Sequence, residues 1–246
     1  MAFFKRPAKE EKEKPIPRRI LVADDDPSIL QLIAKTLHDS RYLYETVLVK
    51  DGLEAMKAFE KQPFDLILLD VTMPFIDGFQ ACRRIRECSD VPIVILTARS
   101  GPEDIVHGFD LGADDYITKP FRNEILNARI GAILRRVEGY RRQMAPTVVQ
   151  LKNLMLDQPH HIVTVREQEV CLTPIEFGLL FFLSANAGQV FDRETLFREV
   201  WGYEHLGEAN LVDVCVHRLR EKIELKASQP QIILTIRGVG YKVVDQ

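Results

Sequence analysis

The chain has 246 residues but only one tryptophan and four cysteines. Cys82, Cys88, Cys171 and Cys215 form no CxxC pair and have no metal-ligand spacing. They therefore read as free thiols in a reducing compartment, not as a zinc site or a disulfide framework. Long apolar runs are also missing. The best candidate, Phe177–Leu183, falls far short of the roughly 18 residues that cross a bilayer, so no membrane association is expected. Lys5 and Arg6 have no apolar h-region behind them, which argues against a secretory leader and for a cytoplasmic location. With a net charge of −3 there is no overall basic field to announce nucleic acid. The charge is unevenly spread, however. Acidic residues outnumber basic ones from Thr147 to Ala209, and basic residues outnumber acidic ones from Asn210 to the end. A DNA-binding edge, if present, belongs at the C-terminal end.

The length suits two compact domains. Residues 1–17 (ending KRPAKEEKEKPIP) are rich in Lys, Glu and Pro, cannot bury a core, and read as a disordered, solvated extension. From Arg19 onward, short apolar runs alternate with amphipathic segments. RRILVA, YETVLV, DLILLD, VPIVILT and DYIT read as strands. Helices are expected from near Pro27, Gly52, Gly78, Pro102 and Arg122, the last with a stripe of Leu126, Ile130 and Ile133. Continuous apolar strands alternating with helices give a five-stranded, doubly wound parallel sheet over residues 18–137. Residues 138–146 lack an apolar stripe and form a candidate linker. Residues 147–246 read as an α+β domain. β-like pieces (TVVQL, HHIVTV, VCLT) precede helices over 174–186, 192–201 and 209–226. IILTIRGVGYKVV then closes the chain as a hairpin around glycines free to take positive φ. No internal repeat is visible.

Asp24, Asp25 and Asp26 follow the first strand, and Asp70 ends the third. In an open parallel sheet the carboxyl ends of the strands line the ligand crevice, so these carboxylates should converge there. Clustered carboxylates repel unless a cation lies among them, and hard oxygen donors without Cys or His favour Mg²⁺. Thr97 ends the fourth strand with a hydroxyl for a phosphoryl oxygen, and Lys119 follows the fifth with a point positive charge. Taken alone, an acidic turn is usually a helix N-cap cluster, and a strand-end Thr or Lys is usually bland. Their joint placement points to phosphoryl transfer onto a carboxylate.

ILVADDD, LILLDVTMPFIDG, VPIVILTA and DDYITKPF together resemble the motif set of response-regulator receiver domains, over roughly residues 19–137. The resemblance implies that Asp70 is the phosphoacceptor and that Asp24 and Asp25 form the acidic pair, with Asp25 a direct Mg²⁺ ligand. Thr72 would lend its backbone carbonyl to the metal. Thr97 would be the switch hydroxyl, Tyr116 the switch aromatic and Lys119 the phosphate-binding lysine, with a cis Lys119–Pro120 bond. It further implies a histidine kinase as phosphodonor. The switch would be a population shift in which Thr97 moves to the phosphoryl group, Tyr116 turns into the vacated space, and the face made by the fourth helix, fifth strand and fifth helix changes shape.

In the second half, Thr173 is an N-cap, Pro174 takes the first helical position and Glu176 completes a capping box. Asp192-Arg193-Glu194-Thr195 opens the next helix, which ends at Trp201-Gly202. The helix over Asn210–Glu224 carries an apolar stripe of Leu211, Val212, Cys215, Leu219 and Ile223, beside a polar face with His217 and Arg220. An amphipathic helix with several cations is most often a solvated surface helix, but a basic hairpin after it makes a DNA-binding geometry. LTPIEFGLL, DRETLFREVWG, VDVCVHRLREKI and ILTIRGVGYKV resemble the winged helix-turn-helix effector domains of OmpR/PhoB-type regulators, over about residues 147–244. The resemblance implies that Asp213, Val214 and His217 face base edges. It makes Arg193, Trp201, Arg218, Arg220, Thr235, Arg237 and Tyr241 backbone or minor-groove contacts, with promoter DNA and RNA polymerase as partners. Asn210-Leu211 stands where family members commonly have Arg-Thr, and Cys215 where they commonly have His. Loss of a phosphate-contacting Arg should weaken non-specific affinity and flatten its salt dependence.

The resemblance also implies a homodimer on phosphorylation, held by ion pairs such as Asp115 with Arg129 across protomers. Ile105 and Ile125 replace a second such pair. They either pad a groove within one protomer or make an apolar contact across the dimer. A metal-dependent aspartyl phosphatase of the haloacid-dehalogenase type is the competing enzymatic reading. Such enzymes carry a second Asp two residues after the nucleophile, and that position is Thr72. A phosphorylation-independent regulator is the other rival, yet the acceptor, acidic pair, hydroxyl and lysine are all present.

Overall fold

The computed structural model describes residues 17–40, 42–98, 101–142, 148–203 and 210–244. Its first half alternates β1 (Arg18–Ala23), α1 (Pro27–His38), β2 (Tyr44–Val49), α2 (Gly52–Lys61), β3 (Leu66–Asp70), α3 (Gly78–Arg86), β4 (Ile93–Thr97), α4 (Pro102–Asp110), β5 (Asp115–Thr118) and α5 (Asn123–Arg142). The strands form one parallel sheet in the order β2-β1-β3-β4-β5. LILLD and IVILT are buried at every position, as central strands covered on both faces must be. On one face Ile20, Val22, Leu68 and Leu96 pack with Leu30 and Ile33 of α1 and Leu126, Ile130 and Ile133 of α5. On the other, Leu21, Ile67, Leu69 and Ile95 pack with Ala55, Ala81, Ile85 and Phe109. The carboxylates Asp26, Asp51 and Asp77 accept the backbone N–H groups of Ser28, Glu54 and Gln80, which fixes where α1, α2 and α3 begin. From β1 the chain steps outward to β2 and then back across to β3. The crevice at this reversal lies beyond Ala23 and Asp70.

The expected linker begins too early. Residues 138–142 continue α5, because a helix already nucleated over its buried stripe extends cheaply without an apolar one.

The second half opens with an antiparallel sheet of β6 (Val148–Leu151), β7 (Leu154–Asp157), β8 (Ile162–Val165) and β9 (Gln168–Glu169). Leu154 and Leu156 are the buried residues of the unexpected strand β7, with Met155 and Asp157 on its other face. VCLT is not a strand. Val170 N–H still reaches Val163 O at 2.9 Å, but Thr173 has left the sheet to cap α6 (Pro174–Ala185) in the expected box with Glu176. Next come α7 (Arg193–Trp201), α8 (Asn210–Ile223) and the hairpin of β10 (Ile233–Ile236) with β11 (Gly240–Val243). Leu179, Leu183, Leu196, Phe197, Trp201, Leu211, Cys215 and Leu219 fill the core of these helices. Burial drives the thiol pKa of Cys215 upward, which keeps it an inert apolar filler. Phe191 and Tyr241 bond to each other through their backbones, pinning the hairpin to the start of α7. Only glycine fits at Gly240, where a Cβ would stand 1.9 Å from Phe191 O. No helix among the described residues is long and apolar enough to cross a membrane.

Candidate functional site

Parallel register brings the predicted residues to one edge. Asp70 is level with Leu96, and Thr97 with Thr118, so Asp70, Thr97 and Lys119 step along the carboxyl ends of three adjacent strands. Asp24, Asp25 and Asp70 place one carboxylate oxygen each within 4.8 Å of the others. Lys119 Nζ donates to Asp24 Oδ2 at 2.6 Å and to Asp70 Oδ1 at 2.7 Å. The backbone N–H of Thr72 donates to Asp70 Oδ2 at 3.1 Å. Lys119 N–H donates to Thr97 O at 2.7 Å, and the Lys119–Pro120 peptide is cis. Asp26 lies outside the trio as the α1 cap, so one acidic run supplies both the bland and the sharp reading.

Burial pushes the Asp70 carboxyl above the usual carboxylate range. Lys119 opposes the rise, while Asp24 and Asp25 add to it. Burial alone would lower the Lys119 ammonium, but its bonds to Asp24 and Asp70 outweigh that and raise it. Three carboxylates facing one ammonium leave an excess of negative charge in a site of hard oxygen donors. The group is therefore suited to a metal ion.

A second constellation lies between the two halves of the chain. Arg129 Nη1 donates to Asp115 Oδ1 at 3.0 Å and to Tyr116 O at 2.7 Å. The Tyr203 hydroxyl donates to Asp115 Oδ2 at 2.8 Å and stands 3.2 Å from Arg129 Nη1. The guanidinium lies over the rings of both Tyr116 and Tyr203, at 5.8 and 4.8 Å. The Asp115–Arg129 pair expected across protomers is here made within one chain and buried beneath Tyr203. Nearby, Arg136 donates to Trp201 O at 3.1 Å, Arg218 donates to Ala113 O at 3.3 Å, and α4 packs on α8. Ile105 is half-buried against the receiver core and lines a small cavity with Thr97, Phe109 and Tyr116. Ile125 is half-buried.

The expected DNA contacts divide into accessible and covered groups. Thr235, Arg237 and His217 are exposed, and Val214 is half-buried. Asp213 Oδ1 accepts Arg193 Nε at 2.7 Å and the Tyr241 hydroxyl at 2.6 Å. Burial and that bond push the Tyr241 hydroxyl up to about 12. Arg220 ties α8 to the hairpin through Ile233 O and Thr235 Oγ1. Two expectations need correction for this conformation. Trp201 is 0% exposed and stacked on Phe197, so no phosphate can reach its ring. Arg218 is 7% exposed and bound to Glu176 at 2.9 Å, so it too is out of reach. Glu176 is a hub that sequence reasoning saw only as a cap. It also holds Lys222 at 2.7 Å. Tyr203 was missed as well, its one sequence signal being an aromatic placed just after the glycine that ends α7.

A carboxylate-lined parallel sheet joined to three helices and a hairpin is the build of a two-domain signalling regulator. Residues 20–131 match the response regulator receiver domain family, and residues 166–243 match the family of transcriptional regulatory proteins, C terminal. The chain is 42% identical over 225 residues to the DNA-binding response regulator MtrA of Mycolicibacterium smegmatis, covering 92% of this chain and 96% of that one. It is 41% identical over 228 residues to the transcriptional regulatory protein AfsQ1 of Streptomyces coelicolor, covering 93% and 98%. A solved structure of a RitR mutant superposes with a TM-score of 0.72 at 31% identity, covering 93% of this chain and 100% of that one. The chain belongs to the DNA-binding response regulators of the OmpR/PhoB type, transcriptional regulators and not enzymes.

Proposed function

We propose that this chain is switched by phosphorylation of Asp70 and that its resting form is the docked arrangement described above. The observation that carries the reading is Lys119 held between Asp24 and Asp70 in a cluster of three carboxylates. The Asp70 carboxylate attacks the phosphoryl group of a histidine kinase. The new P–O bond forms as the P–N bond to the donor imidazole breaks. Asp24, Asp25, Asp70 and the Thr72 carbonyl are the residues that would hold Mg²⁺, which when bound offsets the charge of the incoming phosphoryl group. Lys119 then transfers one of its bonds to a phosphoryl oxygen. Thr97 takes another, and Tyr116 follows it inward.

The receiver spans residues 18–137 and the effector 147–246, joined by the last turns of α5 and residues 143–146, with 1–17 as an extension. Movement of Tyr116 disturbs Arg129, and with it Asp115 and Tyr203, so the effector is released. The freed α4–β5–α5 face pairs with a second copy through Asp115, Arg129, Ile105 and Ile125. The effector binds double-stranded promoter DNA in the cytoplasm and engages RNA polymerase. Val214 and His217 read bases, with Asp213 beside them. Arg193, Arg220, Thr235, Arg237 and Tyr241 meet the backbone or minor groove. Trp201, stacked in the effector core, and Arg218, paired with Glu176, are not among them.

Intact-mass spectrometry after incubation with phosphoramidate and Mg²⁺ tests the core of this reading. One phosphate is expected on the unaltered chain and none on Asp70→Asn or Asp25→Ala. Undiminished phosphate on Asp70→Asn refutes the assignment.

A further inference from the structure

Among the described residues four non-glycine residues adopt positive φ, each in a turn or connection. Arg166 and Glu167 form the two-residue turn between β8 and β9, where such angles match the strand twist. His161 lies in the β7–β8 connection and stacks on Phe177 at 4.0 Å. Phe75, at φ 65°, is the centre of a three-residue turn closed by Ile76 N–H on Pro74 O at 2.8 Å, a tight, strained turn for which nothing requires a bulky ring. Its side chain is 84% exposed, the most of the exposed large hydrophobic side chains among the described residues. A bulky ring in the left-handed region is strained, and glycine or asparagine would take that angle more cheaply. The fold therefore bears both strain and exposed apolar surface at this one position without gaining any packing from it. Strain of this kind clusters at functional sites.

Its location says which function. Phe75 lies on the loop that runs from Asp70 to α3. Gly78 N–H bonds back to Val71 O, and a Cβ on Gly78 would stand 2.1 Å from Asp70 O, so this loop folds directly over the acceptor strand. Gly52 packs as tightly on Ile76, which puts the start of α2 against the same loop. Leu53, the next residue, is 41% exposed. Two exposed apolar residues thus flank one backbone contact on the rim of the phosphoacceptor crevice. Asp70 itself is buried, so a protein that delivers a phosphoryl group to it must approach the crevice whose rim this loop helps to form.

We infer that Phe75, with Leu53 beside it, is a docking residue for the phosphohistidine-bearing protein that donates to Asp70, and that it sets the rate of transfer from that protein without taking part in the chemistry. The inference rests on the reading of Asp70 as acceptor. Burying a phenylalanine contributes roughly 1.5–3 kcal/mol, so its loss should slow transfer at sub-saturating donor by about tenfold or more.

The test compares two donors on the full chain with Mg²⁺ present. One is the autophosphorylated kinase domain that labels the unaltered chain fastest among those encoded in the same genome. The other is phosphoramidate, which needs no docking surface. Phe75→Gly and Phe75→Asn both accept positive φ and so keep the loop. Each should slow transfer from the kinase domain about tenfold while leaving the phosphoramidate rate unchanged, and Phe75→Leu should retain part of the kinase rate. Equal slowing with both donors would make Phe75 part of the acceptor site and overturn the proposal, as would no slowing with either. A changed sedimentation coefficient with unchanged transfer would assign the patch to a second copy of this chain, and that also overturns it. An unaltered chain that phosphoramidate cannot label on Asp70 would defeat the acceptor reading itself, and the docking role with it.

Discussion

Replacing Tyr203 by phenylalanine removes one hydroxyl from the contact between receiver and effector and leaves the ring in place. That hydroxyl donates to Asp115, which is wholly buried, at 2.8 Å. A hydrogen bond to a charged group is worth about 1.5–3 kcal/mol. Asp115 keeps Arg129 at 3.0 Å, and the guanidinium keeps its place 4.8 Å over the aromatic ring. The loss therefore belongs at the low end, about 1.5 kcal/mol, or about tenfold in the ratio of docked to undocked chains. Apparent DNA affinity scales with the fraction of chains able to bind. Tyr203→Phe should thus tighten DNA binding by the unphosphorylated chain by up to about tenfold, while the phosphorylated chain, already released, changes little. Fluorescence anisotropy with and without phosphoramidate reads both, on a DNA site selected from random sequence with the phosphorylated protein. Unchanged affinity in the unphosphorylated variant, or an equal gain in both forms, would show that Tyr203 does not hold the domains together.

Further expectations concern charge. Burial raises the Asp70 carboxyl, and only the carboxylate attacks, so the initial labelling rate should fall as pH drops through that raised value. A stopped assay with phosphoramidate across acid to neutral pH checks it, and a flat profile would contradict it. For stability the sign is the same. A folded-state value above the unfolded one gives stability that is present in acid and lost as pH rises through the folded value. Asp70→Asn should therefore raise the melting temperature of the metal-free protein at neutral pH, and the gain should vanish in acid. Arg218→Ala removes one partner of the buried Glu176 and should destabilise the effector by roughly 3 kcal/mol, moderated by Lys222, as urea unfolding would measure. Arg237→Ala should lower affinity about equally on all DNA sequences and reduce the salt slope by about 1, whereas His217→Ala should change base preference in a site selection.

Much of the receiver was legible because its central strands LILLD and IVILT are buried at every position and its site residues end the strands. Asp70, Thr97 and Lys119 need no information beyond strand order to be brought together. The effector was read well where stripes were strong, as in α8, whose buried face is the one expected. Strand β7 escaped because Leu154 and Leu156 alternate over only four residues, too short a pattern to stand out. VCLT misled because its apolar side chains end in a residue, Thr173, that a helix claims more strongly as its cap. Trp201 and Arg218 were misplaced because their own domain covers them, through Phe197 and Glu176. The corrections at Asp115 and Arg129 share another cause. Each residue was assigned the surface it has in an isolated domain, and periodicity within a segment says nothing about which surface another domain covers. Tyr203 carries no pattern at all, and only the fold places it over Asp115.

The packing of α8 against α4 has a consequence for the order of events on a promoter. His217, Arg218, Glu221 and Lys222 line a cleft whose other wall is Arg86, Asp110, Leu111 and Gly112 of the receiver. One side of a helix cannot face the receiver and a duplex at once. Whatever factor phosphorylation contributes to DNA affinity, DNA must return to the phosphorylation equilibrium, because a coupling free energy is the same seen from either site. On the proposed reading, a chain resting on its operator should hold its phosphoryl group at a more favourable equilibrium than one in free solution, so a larger share of promoter-bound copies should be charged when donor is scarce.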